Sequence, residues 1–132
     1  MISIRIKFIV ILFLMIGCAS DKYTWHTIEV TATAFNSLAY QTSLNPSITA
    51  FGDSLIPGKK YIAVSRDLLT LGLKHNTPVK IEGFDGVFLV KDKMHRRWKK
   101  RIDIYMGEDV KKAKEWGRKK VTISYGIMKK DQ

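Results

Sequence analysis

The sequence predicts a small, mainly β domain closed into a barrel. About six short runs carry strand patterning, one amphipathic run before the last of them reads as a helix, and the strands are not spaced as consecutive hairpins. In so short a chain, closure is the simplest way to leave no strand edge exposed.

The first strand is "IEVTATAF", Ile28 to Phe35. Ile28, Val30, Ala32 and Ala34 fall on one face, Glu29, Thr31 and Thr33 on the other, a period of two that fits a half-buried strand. Residues 36–60 are rich in Asn, Ser, Thr, Gly and Pro and read as a long loop with at most one short strand. Loops of this length in a compact domain usually carry function. "KYIAVS" supplies a strand at Tyr61–Ser65. In "PVKIEGFDGVFLVKD", Val79–Glu82 and Val87–Val90 flank "GFDG", whose Asp-Gly pair suits a tight reversal. "RIDIY" and "KVTISY" are two further strands. Between them "GEDVKKAKEWG" reads as a helix, with Glu108 and Asp109 at its positive end and Gly117 able to stop it through a left-handed cap. Val110, Ala113 and Trp116, three apart, form its buried edge.

The start of the chain decides the compartment. Arg5 and Lys7 precede the apolar run "FIVILFLMIG", followed by Cys18, the one cysteine present. A positive start, a short apolar core and a small residue before the break match a secretory signal. The run is about half of the roughly 20 apolar residues a spanning helix needs. "LMIGCAS" resembles a bacterial lipoprotein signal, which makes Cys18 the expected lipidation site and gives the lone thiol a use. Acyl chains, at about 0.8 kcal/mol per buried methylene, would hold the protein on a membrane. The expected organisation is a signal at residues 1–17, a tether at 18–27, the barrel at 28–126 and a polar tail at 127–132. Loss of the signal removes two of 23 basic residues and none of 12 acids, leaving nine excess positive charges on 115 residues. That excess favours a polyanionic neighbour.

Charge concentrates in "KDKMHRRWKKR", where seven of the eleven residues 91–101 are basic. Asp92 and Asp103 stand on either side of it, each beside an apolar strand run. Read from the residues, the two acids are either structural, Asp103 pairing with Arg101, Arg97 or a backbone amide, or the working groups of a site. Trp98 interrupts the cations and could offer a platform for a sugar ring. Arg97 and Arg101 could bind carboxylates through paired hydrogen bonds. The same texture would suit single-stranded nucleic acid, but export argues against it and none is expected. His26, His75 and His95 are scattered, so no metal is expected, and no phosphate-binding loop or nucleophile arrangement occurs, so no cofactor is expected either. A monomer is the expected state.

The run "YIAVSRDLLTLGLKHNTPVKIEGFDGVFLVKDKM…RIDIYMG…WGRKKVTI", with "TATAF" and "TAFG" ahead of it, resembles the three-aspartate (3D) domain family. These are double-psi β-barrels related to membrane-bound lytic transglycosylase A and rare lipoprotein A. The resemblance implies a six-stranded double-psi barrel that acts on peptidoglycan. It assigns Asp92 as a single acid/base and makes Asp103 its supporting acid or the anchor of the loop around it; Thr33 and Thr49 join Arg97, Trp98 and Arg101 as candidate substrate contacts. Most glycosidases need two carboxylates. A lytic transglycosylase needs one, because the sugar's own C6 hydroxyl is the nucleophile and the product is a 1,6-anhydro sugar. Such a carboxyl must hold a proton, hence a raised pKa from burial or a neighbouring acid.

Two departures from the family pattern stand out. Ser65 occupies the place of the first family aspartate, with Asp67 two residues on as a shifted replacement on the same strand face. Lys93 and Met94 stand where the family has Thr-Gly-Gly after the acid. Cations beside Asp92 favour its charged form, while burial at the end of "VFLV" opposes them. A non-catalytic barrel binding peptidoglycan or another anionic glycan is the alternative, and a basic lipoprotein recruiting an anionic protein or lipid is the third reading.

Overall fold

A computed structural model describes residues 22–37 and 48–132. The signal run and Cys18 lie outside the described residues, as do residues 38–47 of the long loop. Six strands form: β1 (Tyr23–Phe35), β2 (Tyr61–Val64), β3 (Pro78–Ile81), β4 (Phe88–Lys93), β5 (Arg101–Tyr105) and β6 (Lys119–Met128). Two short helices join them, α1 (Arg66–Thr70) and α2 (Val110–Trp116), and a 3-10 turn ends the chain at Lys129–Asp131.

The strands close in the order β1-β5-β2-β4-β3-β6, with β6 returning to β1. Two neighbouring pairs, β1/β5 and β2/β4, are parallel, and the remaining pairs are antiparallel. The barrel is mixed, and it is the closed, six-stranded, mainly β barrel with a helix before its last strand that the sequence predicts.

Alternation fills the interior. Val30 and Ala32 of β1, Ile62 and Val64 of β2, Val90 of β4, Ile102 and Ile104 of β5 and Ile123 of β6 are all buried in one cluster. Full burial of each of these Val and Ile side chains contributes about 1.5–3 kcal/mol.

Several boundaries move. β1 begins at Tyr23, so five residues assigned to the tether pair instead with the end of β6, from Tyr23 opposite Met128 to Thr27 opposite Ser124. β6 correspondingly runs into the expected polar tail. The β3–β4 reversal centres on Glu82–Asp85, where Phe84 N–H donates to Ile81 O at 3.0 Å, rather than on Asp85-Gly86. Within residues 48–60 the strand-like feature is a single bridge between Ile48 and Ser54. Helix α2 starts at Asp109, whose side chain accepts from Lys112 N at 2.9 Å, and stops at Gly117 with φ of +68°. Its Trp116 is core-facing, donating to Ala32 O at 3.3 Å and packing on Phe84.

Helix α1 is absent from the sequence reading, and it overturns the placement of Asp67 on a strand face. β2 stops at Val64, and Asp67 sits in the first turn of α1. The helix ends at Gly72 with φ of +112°, a conformation L side chains rarely adopt, and Leu73 N–H returns to Leu68 O at 3.2 Å. That return buries Leu68 and Leu73 together.

Candidate functional site

One row of residues crosses four strands on the outer face of the barrel. Thr33 of β1 pairs with Asp103 of β5, Asp103 with Ala63 of β2, and Ala63 with Asp92 of β4. Asp103 faces out because Ile102 and Ile104 on either side point into the core.

Asp92 needs a further device. It lies two residues after Val90, which is fully buried, so a regular strand would turn Asp92 inward as well. The β2–β4 register shifts between Ile62 and Ala63: Ile62 pairs with Val90, but Ala63 pairs with Asp92 and Lys91 is passed over. This bulge re-aims Asp92 to the outer face. Two acids therefore flank one alanine, with Cα atoms about two strand spacings, or ~10 Å, apart. The small Ala63 side chain forms the floor between them.

Both carboxyls are half-buried and held by one oxygen. Thr33 Oγ1 donates to Asp103 Oδ1 at 3.0 Å and accepts from Arg101 Nε at 3.4 Å. Asp92 Oδ1 accepts the N–H groups of Ala50 and Lys93, both at 2.8 Å. No described residue donates to Oδ2 of either acid. Burial pushes Asp103 up to about 6, helped by the charge of Asp92 and opposed by the Thr33 hydroxyl and Arg101. Burial also raises Asp92, against the Ala50 and Lys93 N–H groups and the Lys93 ammonium. Burial therefore outweighs the neighbouring cations at both acids.

The basic loop is clamped at both ends. Met94 N–H donates to Val64 O at 2.9 Å, and Arg66 Nε to Met94 O at 3.1 Å. At the far end Ser65, fully buried, donates its N–H to Arg101 O at 2.8 Å and accepts Arg101 N–H on its hydroxyl at 3.0 Å. Asp67 Oδ2 accepts Lys100 N–H at 2.9 Å. Asp67 is held below the usual carboxylate range: burial raises it, but the Ser65 hydroxyl, the Lys100 N–H and the Lys99 charge outweigh that. Asp67 therefore fastens the loop and takes no place in the acid row.

The arginines gather on Trp98. The Arg101 guanidinium lies 3.9 Å from its ring centroid and that of Arg97 4.7 Å. The half-buried indole thus lies against both guanidinium groups. Burial first, then the positive charges of Arg118 and Arg97, pull Arg101 down from the usual arginine value, and Asp103 opposes them. Among the described residues, none of the three arginines forms a salt bridge. Sequence reading missed Arg118, because only the β1/β5 and β1/β6 pairings bring the start of β6 to within two strands of Arg101.

Thr49 is buried, and its hydroxyl accepts from Asp53 N at 3.1 Å, so it shapes the loop that carries Ala50. His95 Nδ1 accepts from Arg97 N at 3.2 Å within the basic loop, and His26 stacks on Tyr125 away from the row. His75 bonds Asp53.

No family model matches the chain, and no curated protein matches it. Among solved structures, the apo form of an expansin from Clavibacter michiganensis is similar to 79% of this chain and 52% of its own, at 19% identity and a TM-score of 0.48. A point mutant of that expansin in complex with cellohexaose matches 77% of this chain and 50% of its own, at 18% identity and a TM-score of 0.46. This chain spans about half the length of those proteins.

Proposed function

We propose that this protein binds an anionic cell-envelope glycan, with peptidoglycan as the leading substrate class, along the outer row from Thr33 to Asp92. Cys18 would anchor it to the membrane. The observation carrying this reading is the pair Arg97 and Arg101, brought together on Trp98 without a salt bridge to a described residue. Like charges held together call for an anion, and guanidinium groups pair with carboxylates in bidentate geometry. The lactyl and peptide carboxylates of peptidoglycan have that chemistry.

A second reading, cleavage of the same glycan, is favoured by the raised acids. A carboxyl held up to about 6 keeps a useful fraction of its proton near neutral pH. It would donate that proton to the glycosidic oxygen as the bond to C1 breaks. It would then accept the C6 hydroxyl proton as that oxygen closes on C1, leaving the 1,6-anhydro sugar. Family resemblance gives this role to Asp92; the depth of burial favours Asp103 as the proton holder.

One experiment addresses both readings. Residues 22–132, which contain all six strands and the core, are incubated with purified sacculi and with a neutral glucan. Binding to sacculi should exceed binding to the glucan at least about tenfold and fall about tenfold in Arg101→Gln, one charged pair being worth roughly 1–3 kcal/mol. Equal binding to both polymers overturns the anionic-glycan reading. Anhydro-muropeptides found by mass spectrometry, and lost in Asp92→Asn and Asp103→Asn, establish cleavage; binding without product leaves a binding module.

A further inference from the structure

Residues 48–54 form a compact loop. Thr49 N–H donates to Asp53 O and Gly52 N–H to Thr49 O, both at 2.9 Å, and Ile48 bridges Ser54. From this loop the Ala50 N–H reaches Asp92 Oδ1. A charge-assisted bond of this kind is strong only while the donor stays in place.

What keeps it there lies on the other side of the loop. Asp53 Oδ2 is bonded to His75 Nε2, and Asp53 Oδ1 lies 3.6 Å from Lys91 Nζ. Lys91 also donates to Asn76 Oδ1 at 2.6 Å. The Phe51 ring lies 4.9 Å from that of His75, and Lys93 Nζ sits 5.9 Å from the Phe51 centroid. The segment bearing His75 is itself firmly fixed: Asn76 N–H donates to Val90 O at 2.8 Å, and Thr77 Oγ1 donates to Gly72 O at 3.2 Å and accepts from Lys74 N at 3.0 Å. A rigid post thus stands beside a loop tied to it by side chains.

We propose that Asp53 and His75 form a latch that holds residues 48–54 over the acid row and so keeps the Ala50 N–H on Asp92. They are positioning residues, acting on Asp92 through Ala50. Charged groups facing this arrangement are Lys91 at Asp53, Lys93 at Phe51 and Asp92, and Asp103 across Ala63. The consequence for glycan chemistry rests on the functional reading above, but the contact is measurable without any glycan.

Amide NMR on residues 22–132 tests it. In the wild type the Ala50 amide proton should shift as Asp92 titrates and should exchange slowly. Asp53→Ala and His75→Ala should abolish that shift and speed Ala50 exchange at least about tenfold, as expected for a locally opened loop. His75→Gln, which keeps an N–H donor near the Nε2 position, should restore both. Amides of Arg101–Tyr105 in β5, unchanged, report an intact barrel. Should an alanine variant fail to fold, His75→Phe, which keeps the ring on Phe51 but not the bond to Asp53, carries the same expectation. An Ala50 amide that still follows Asp92 in these variants overturns the latch. Failure of sacculus binding with the Ala50 response intact would overturn the functional reading and leave the latch standing.

Discussion

The outer row around Asp103 and the clamp around Asp67 flank the same basic loop, yet they shift their carboxyls in opposite directions. Asp67 receives the Lys100 N–H and the help of the Ser65 hydroxyl, and it stays charged. Asp103 receives one hydroxyl, in a more buried place beside a second acid, and keeps its proton to about 6. Abundance of cations nearby in sequence does not decide between them. Hydrogen-bond donors aimed at the carboxylate, weighed against lost water, do.

Removing the wall beneath one region should separate the two most widely. Ile104→Ala empties a fully buried position behind the acid row and should cost about 2–5 kcal/mol by chemical denaturation. The loosened wall should let water reach Asp103 and bring its titration, followed by carboxyl NMR, down towards the ordinary range. Asp67 should titrate as before; if both acids move together, the two regions are not independent.

Asp103→Asn should act with the opposite sign on stability. The folded-state pKa lies above the ordinary 3.8, so the wild type is favoured below that value and loses stability as pH rises through about 6. The asparagine variant escapes this loss. Its advantage should be absent near pH 3 and grow to about 1–3 kcal/mol above pH 7, at roughly 1.4 kcal/mol per unit with a discount for partial exposure. A pH-independent difference between the two proteins would mean Asp103 titrates normally.

The smallest effect belongs to the clamp. Asp67→Ala should cost about 1.5 kcal/mol at pH 7, the low end for one backbone bond to a charged group. Because Asp67 is held low, that contribution is present above pH 3.8 and fades as pH falls through its lowered value. Thermal melts of the two variants across pH should therefore diverge from the wild type in opposite directions.

The β runs were legible because alternation is a local property. Arg101–Tyr105 stands as read, and Asp103 was identifiable as the outward residue between two apolar ones. Helix α1 left a signal that could have been used: Ser65 before a short apolar run, an acid in the first turn, and Gly72 just past the end. The early start of β1 left a signal too, since Tyr23, Thr24, Trp25 and Thr27 are strand formers, but its register is set by the end of β6. The members of the candidate site were legible, and their contacts were not. Thr33, Asp92, Arg97, Trp98, Arg101 and Asp103 do come together, but Trp98 holds arginines and Thr49 shapes a loop. Ala50, Asp53 and His75 carried no local pattern.

By itself the sequence determined the periodicity, hence the strands, the inward faces and the mainly β closed class, along with the unusual density of positive charge. Only the tertiary structure decided which strands are neighbours, and through that the bulge that turns Asp92 outward and the burial that raises both acids. The reason is one of range. Side-chain alternation is set by adjacent peptide units, whereas the state of a carboxyl is set by donors and lost water supplied from strands dozens of residues away.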